Sequence, residues 1–136
     1  MKLNLKMIVF LGLIMTAAIS NAGSVLSVRL VEASHAGQGM GTGLGDVSRL
    51  LLDNLPFKSF QMLASRSMSL PADGVASLSE GIVARCTGSQ ETLKVVIERG
   101  GKAVMQTTVA LRDGTPLIIG GISTGRGKMI VILLAK

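Results

Sequence analysis

The chain is poor in aromatic residues, with three Phe and neither Tyr nor Trp among its 136 residues. Proteins that bind single-stranded nucleic acid without sequence preference stack the bases on aromatic rings. Phe10 lies in the apolar N-terminal segment, and Phe57 and Phe60 share one apolar stretch that is typical of a protein core. We therefore expect no nucleic-acid partner.

Cysteine and histidine each occur once, as Cys86 and His35. A single cysteine excludes an internal disulfide, and a single histidine excludes a zinc or copper site built on several imidazoles of one chain. The alternation of Ile82, Ala84 and Cys86 indicates that the thiol is buried in a strand. The methionines are scattered, which favours core filling over ligation of cuprous ion. The sequence therefore predicts no metal site and no cofactor.

Residues 1–22 have the three parts of a secretory signal peptide. Two lysines give the basic start, an apolar run follows, and Ser20 and Ala22 are the small residues that a cleavage site requires. An uncleaved membrane anchor is the alternative, although the apolar run is shorter than the roughly 20 residues that span a bilayer. A lipoprotein would need a cysteine where Gly23 stands. We expect a periplasmic or secreted protein with no stable membrane span after cleavage.

Cleavage would leave about 114 residues, which suits one domain and is too few for two. The 14 Lys and Arg residues fall by two to 12, against 8 Asp and Glu, so the net charge falls from +6 to about +4. Such a small positive balance mainly supports solubility. We expect a single β-rich domain over residues 23–136.

The start of that domain has three distinct patterns. Leu26, Val28 and Leu30 alternate with polar residues, which predicts a half-buried strand. Residues 37–45 carry glycine at every second position, which predicts a flexible loop. Asp46 is a suitable N-cap for the apolar residues at helical spacing that follow, and Pro56 blocks continuation, so we predict a helix over residues 47–54.

The remainder predicts short strands separated by turns. The predicted strands cover residues 57–70, 75–78, 81–86, 92–99, 103–112, 117–122 and 129–134. Turns are predicted at residues 71–74, 100–101, 113–114 and 125–127. The uniformly apolar last strand should be covered on both faces. The expected fold is mainly β (α+β): an antiparallel β-sandwich or partly open barrel of about seven or eight strands, with one short helix between the first two.

Two motifs resemble functional sequences without their context. Residues 121–125 match the G-x-S-x-G pattern of a hydrolase nucleophile, Ser123, but a strand follows and neither an acid nor a histidine comes later. The alternating glycines differ from the dinucleotide G-x-G-x-x-G, and Asp46 would place a negative charge beside a phosphate. We expect no enzyme; a serine hydrolase that uses Ser123 and His35 is a remote alternative.

Residues 28–34, 55–63 and 115–121 carry Val-Glu-Ala-Ser, Pro-Phe-x-Ser-Phe and Pro-Leu-Ile-Ile-Gly-Gly patterns. Together they resemble a group of uncharacterised small exported β-rich bacterial proteins. The resemblance implies a strand, a glycine loop, a short helix and a run of hairpins, with no catalytic residues. The last segment is also similar, over those seven residues, to strands in the β-domain of secretins, the outer-membrane pores of secretion and pilus systems. It implies a cell-envelope setting.

These observations favour a non-enzymatic interaction module of the cell envelope, accessory to a secretion or pilus assembly. The candidate interaction surface is formed by basic hairpin tips, since sheet edges and tips bind partner strands. Its residues are Arg99, Lys102, Arg126 and Lys128. The alternative is a periplasmic binder of a small apolar ligand or envelope polymer, in a pocket between two sheets gated by the glycine loop. The expected partner is an envelope protein of open identity, and the oligomeric state is open.

Overall fold

The computed structural model describes residues 24–36, 39–123 and 127–136. Strands account for 63% of this part, and it contains one helix, so the predicted mainly β class is confirmed. The predicted signal peptide lies outside the described residues, as do Arg126 and most of the predicted last turn. The elements are β1 Val25–Ser34, β2 Gly39–Met40, α1 Ser48–Asn54, β3 Ser59–Ser69, β4 Ala72–Ser77, β5 Ile82–Gly88, β6 Leu93–Arg99, β7 Lys102–Val109, β8 Leu117–Ser123 and β9 Gly127–Ala135.

The strands form two sheets. The five-stranded sheet has the order β2-β3-β1-β9-β8 and the four-stranded sheet the order β4-β5-β6-β7. Neighbouring strands are antiparallel except for the two-residue pair of β2 with β3, which is parallel. The sheets do not close into a barrel. The short β2 makes nine described strands and places α1 after the second strand, because a two-residue strand leaves no periodic pattern to find.

One face of each sheet contributes to a shared interior, as in a β-sandwich. Every second side chain of the central strands β1, β5, β6 and β9 enters it. The largest groups are Leu26, Val28 and Leu30 from β1, Met129, Val131 and Leu133 from β9, Ile82 from β5, and Leu93, Val95 and Ile97 from β6. Cys86 is fully buried among them, as its alternation predicted. Removal of these aliphatic groups from water is the main stabilising contribution.

A second apolar cluster covers the other face of the five-stranded sheet. Leu44, Val47 and Leu51, from α1 and the turn before it, pack against Phe60 of β3 and Ile130 of β9. Strand β9 therefore has apolar neighbours on both faces and pairs with β1 and β8 on its two sides. The prediction that its apolar run is covered on both faces is confirmed.

Two local predictions are wrong. Asp46 does not cap α1, because its carboxylate is bound by the Arg29 guanidinium, and Val47 occupies the cap position without a side-chain hydrogen bond. The turn predicted at residues 71–74 is instead the start of β4, since buried Ala72 belongs to the interior and Gly74 pairs with Cys86. Tertiary contacts outweigh the local turn signal of Pro, Asp and Gly there.

The turn predicted at Gly100 and Gly101 is confirmed, since both residues adopt positive φ angles, of 60° and 84°. A turn also forms at Asp113 and Gly114, where the Thr115 N–H donates to the Arg112 carbonyl at 3.0 Å. Positive φ costs glycine little, which is why these pairs mark the turns correctly.

The glycine segment lies against β3. The Gly41 N–H donates to the Phe60 carbonyl at 2.7 Å, and a Cβ at Gly41 would lie 3.1 Å from that oxygen. Glycine permits this close approach, and Leu44 beyond it is fully buried. The flexibility of residues 37–45 stays a prediction, and residues 37 and 38 lie outside the described part.

Candidate functional site

Three of the four predicted basic residues lie at one end of the molecule. Arg99 and Lys102 pair across the β6–β7 hairpin, and Lys128 pairs with Ser123 in the other sheet. The Arg99 Nη1 donates to the Ser123 carbonyl at 3.2 Å. The guanidinium thus connects the end of β6 in one sheet to the end of β8 in the other. Arg126, the fourth residue, lies outside the described part of the chain.

The three side chains do not form one patch. Lys128 shares its face of the five-stranded sheet with Ile130, which belongs to the cluster under α1. Lys102 is exposed at the tip of the other sheet. Arg99 already donates a hydrogen bond within the chain, so it serves the contact between the sheets. The sequence showed that Arg99 and Lys102 flank the Gly100-Gly101 turn, but it could not show to which sheet each basic residue belongs.

Within the described residues, strand β7 forms one edge of the four-stranded sheet and pairs only with β6. In the part of the chain that the structure describes, the backbone of residues 102–109 bonds to no other element. Residues 103–110 carry no charge, and four of them are β-branched: Val104, Thr107, Thr108 and Val109. Val104, at the bulge in the pairing with β6, is 48% exposed. Beyond the bulge, the edge of β7 is regular from Met105 to Val109.

The other described edges carry features that discourage strand addition. Strand β4 carries Asp73 and follows Pro71, and the free side of β3 carries Arg66. Strand β8 contains Gly120 and Gly121, with an irregularity in its pairing at that point. Glycine has low β-propensity and a bulge interrupts the ladder. The longest regular, uncharged edge is therefore that of β7.

An ion pair fixes the segment before α1 to the sheet. Arg29 Nη1 and Nη2 donate to the two carboxylate oxygens of Asp46 at 2.8 and 2.7 Å. This bidentate geometry is the strong form of the contact. The bonds from Arg29 lower the pKa of Asp46 and raise that of Arg29, against the opposing effect of partial burial. The sequence analysis missed this pair, because the two residues are 17 positions apart and Asp46 was interpreted as the N-cap of the helix.

An apolar cleft with a volume of about 370 Å³ lies on the α1 side of the five-stranded sheet. Its walls are the segment after α1 and the outer face of β8 and β9. The lining residues are Leu55, Pro56, Phe57, Ile118, Gly120, Gly121, Lys128 and Ile130. The ligand-binding alternative expected its pocket between the two sheets, where buried apolar side chains of both sheets form one cluster. The signal in the sequence was the Gly120-Gly121 pair inside an apolar strand.

The glycine segment borders a different groove, of 380 Å³, between β2 and β3. Residues 39–42 form one side and residues 59–62 the other. Most of its surface is polar, which distinguishes it from the apolar cleft. The predicted gating of an apolar pocket by the glycine loop therefore has no counterpart at this groove.

The residues of the serine-hydrolase alternative do not meet. Within the described residues, no hydrogen bond joins Ser123 to His35. The Ser123 carbonyl accepts from Arg99, whereas the His35 ring lies 4.6 Å from the ring of Phe57. Burial raises the pKa of the Cys86 thiol to about 11, which keeps it protonated. This arrangement offers no activated nucleophile at these three residues.

Neither a metal-binding cluster nor a membrane-spanning helix occurs in the described residues. Residues 24–36, 39–123 and 127–136 contain no group of three or more His, Cys, Asp or Glu side chains that could hold a metal ion. The helix in those ranges, α1, has seven residues and is far too short to cross a bilayer.

Comparison with known proteins adds no assignment to this geometry. No protein-family model, curated protein or solved structure has a significant match to this chain.

Proposed function

We propose that this chain is a non-enzymatic interaction module of the bacterial cell envelope. In this proposal residues 1–22 direct export, and the β-rich domain binds an envelope protein by pairing β7 with an extended segment of that protein. The partner belongs to a secretion or pilus assembly, as the resemblance of residues 115–121 to secretin strands implies. The observation that carries the proposal is the regular, uncharged edge of β7.

An edge strand offers a row of unpaired backbone donors and acceptors, which an extended peptide can satisfy by joining the sheet. Proteins usually protect such an edge with charges, proline or a bulge. Met105 to Val109 have none of these within the stretch, and Thr107, Thr108 and Val109 favour extended backbone. This edge is therefore suited to a partner strand rather than to solvent alone.

Charges at the two ends of the edge would orient the partner. Lys102 begins β7, and two residues of irregular backbone separate the end of β7 at Val109 from Arg112. Both side chains are exposed. Complementary charges across an interface fix register and speed encounter more than they add affinity. We expect a partner segment of alternating apolar and polar residues with acidic residues near its ends.

Site-specific cross-linking tests this proposal. Cys86 is buried and its thiol is protonated, so a cysteine introduced on the surface is the reactive one. Thr108→Cys on the edge strand and Thr87→Cys on the interior strand β5 form a matched pair. Both threonines are exposed, and both pair with strand β6 at Lys94 on the same face. Each variant is expressed in the bacterium that produces the chain. Its introduced thiol is then labelled with a photoreactive group.

The expected result is one discrete cross-linked adduct with an envelope protein from Thr108→Cys and none from Thr87→Cys. Dependence on strand pairing is checked with Thr108→Cys in a chain that also carries Gln106→Lys, because a lysine on the edge disfavours strand addition. Equal adduct yields at positions 108 and 87 would refute the proposal. So would the lack of an adduct at both positions.

A further inference from the structure

The apolar cleft on the α1 side of the five-stranded sheet has a definite chemical character. Its walls are aliphatic or aromatic: Leu55, Pro56, Phe57, Ile118 and Ile130. Its volume of 370 Å³ lies at the lower end of the range of about 300 to 1,000 Å³ that is typical of small-molecule sites. One charged side chain, Lys128, lines it.

The cleft exists because one strand lacks side chains there. Gly120 lies opposite Ile130 in the β8–β9 pair, on the face that the cleft occupies. A Cβ at Gly120 would lie 3.7 Å from Ile130 Cγ2, an ordinary van der Waals contact, and the backbone of Gly120 has no positive φ. A larger residue is therefore sterically acceptable at this position, and glycine leaves the space empty.

The opposite wall is held in place. The Leu55 N–H donates to the Leu51 carbonyl at the end of α1, and the Lys58 N–H donates to the Ser34 carbonyl of β1, both at 3.1 Å. Pro56 and Phe57 lie between these two anchors, and the Phe57 ring also contacts His35. A wall that is fixed before binding reduces the entropy lost when a ligand enters.

Lys128 places a positive charge at the cleft. A Cβ at Gly121 would lie 3.5 Å from the Lys128 Nζ, so the ammonium group lies beside Gly121. Among the described residues the ion pairs are Arg29–Asp46 and Arg85–Glu98, and Lys128 takes part in neither. An ammonium beside an apolar surface is best satisfied by an anionic group carried on an apolar body.

We propose that this cleft binds a single-chain amphiphile with a carboxylate head, such as a medium-chain fatty acid. The alkyl chain lies along Ile118, Ile130 and Phe57 above Gly120, and the carboxylate contacts the Lys128 ammonium. The proposal is independent of partner binding at β7, because the cleft belongs to the other sheet and is lined by none of the β7 residues.

Calorimetric titration of the purified full chain tests the proposal with three probes of equal chain length, each below its micelle-forming concentration. Dodecanoate is expected to bind with one-to-one stoichiometry. Dodecanol, which has no charge, and dodecyltrimethylammonium, which has the opposite charge, are expected to bind at least about tenfold more weakly. Equal affinity for dodecanoate and dodecanol, or no binding of dodecanoate, would overturn the proposal.

Two variants locate the site. Lys128→Gln is expected to weaken dodecanoate binding about tenfold and to leave the weaker dodecanol binding unchanged. Gly120→Leu is expected to abolish binding of both, because its side chain fills the cleft; Thr87→Leu, exposed on the other sheet, is the control and should bind like the parent chain. Circular dichroism checks that each variant is folded. If the leucine side chain prevents folding, Gly120→Ala is used in place of Gly120→Leu. Full dodecanoate binding by a folded Gly120 variant or by Lys128→Gln would refute the assignment.

Discussion

At the scale of single residues, the ion pair of Arg29 with Asp46 shows where local reasoning succeeds and where it stops. Strand alternation placed Arg29 on the face of β1 that points away from the interior residues Leu26, Val28 and Leu30, and that placement is correct. Its partner was not predictable, because Asp46 precedes a helix and a carboxylate there is an ordinary cap. The burial of Cys86 was predictable, because it depends only on the alternation of residues within its own strand.

Replacement of Asp46 by Asn should make the stability of the chain depend less on pH. The native pKa of Asp46 is lowered by Arg29, so the pair stabilises the fold above the ordinary aspartate pKa of about 4 and loses this effect as the pH falls through the lower native value. Because Asp46 is 47% exposed, we expect Asp46→Asn to lower the free energy of unfolding by about 1 kcal/mol or less at neutral pH.

Urea denaturation followed by circular dichroism at neutral pH and near pH 2 measures this difference. The loss should shrink at the acidic pH, because the native carboxylate becomes protonated as the pH falls through its lowered pKa. Asp53→Asn on the exposed side of α1 is the control, and it should change stability little at either pH. An equal loss for Asp46→Asn at both pH values would show that the charge of the pair does not contribute.

The thiol of Cys86 should be almost inert in the folded chain. Burial raises its pKa to about 11, so the thiolate, which is the reactive form, is roughly two orders of magnitude scarcer near pH 8 than for an exposed cysteine. A chromogenic thiol reagent should therefore modify the native chain far more slowly than the Thr108→Cys variant. Modification at similar rates would contradict the burial, and rapid modification of the native chain in urea is the positive control.

At the scale of elements, the strands were predictable from alternation, whereas their exact ends and the shortest one were not. Strand β4 begins at Ala72 because that residue enters the interior, although its neighbours have turn chemistry. Strand β2 forms because the glycine segment lies against β3, a contact that has no local signature. Helix α1 was predictable from apolar spacing, and its stability comes from the face it buries rather than from a cap.

Adjacent leucines of α1 test that statement. Leu51 is fully buried in the cluster with Phe60 and Ile130, whereas Leu52 is 57% exposed. Leu51→Ala should lower the free energy of unfolding by about 2 to 4 kcal/mol through lost burial and the cavity it leaves. Leu52→Ala, the same change one position along, should alter it by less than about 0.5 kcal/mol in urea denaturation. Equal losses would mean that α1 does not pack on the sheet.

The end of β5 depends on a glycine. Gly88 has a φ of 117°, and a Cβ at this position would collide with the Thr92 carbonyl. Gly88→Ala should therefore lower the midpoint of thermal unfolding, with a cost of about 2 kcal/mol. Gly45 has no positive φ and has open space around the position of a Cβ, so Gly45→Ala should be nearly neutral. A neutral Gly88→Ala would show that the β5–β6 connection differs from the one described.

At the scale of the whole molecule, the order of the strands decides which surface is free, and local patterns do not encode that order. The apolar faces of β9 indicated a covered strand but not its pairing with β1 from the far end of the chain. The edge position of β7 likewise follows from the sheet order alone. The basic hairpin tips were visible in the sequence, whereas the use of Arg99 to join the sheets required the position of Ser123.

Hydrogen–deuterium exchange with mass spectrometry tests the proposed interaction most directly. The affinity-tagged chain is compared alone and after incubation with a solubilised envelope fraction of the organism that encodes it. We predict slower exchange in Lys102–Val109 on addition of the fraction, because a partner strand would satisfy the free backbone groups, and unchanged exchange in the opposite edge strand, Ala72–Ser77. Unchanged exchange in Lys102–Val109 would contradict binding through this edge.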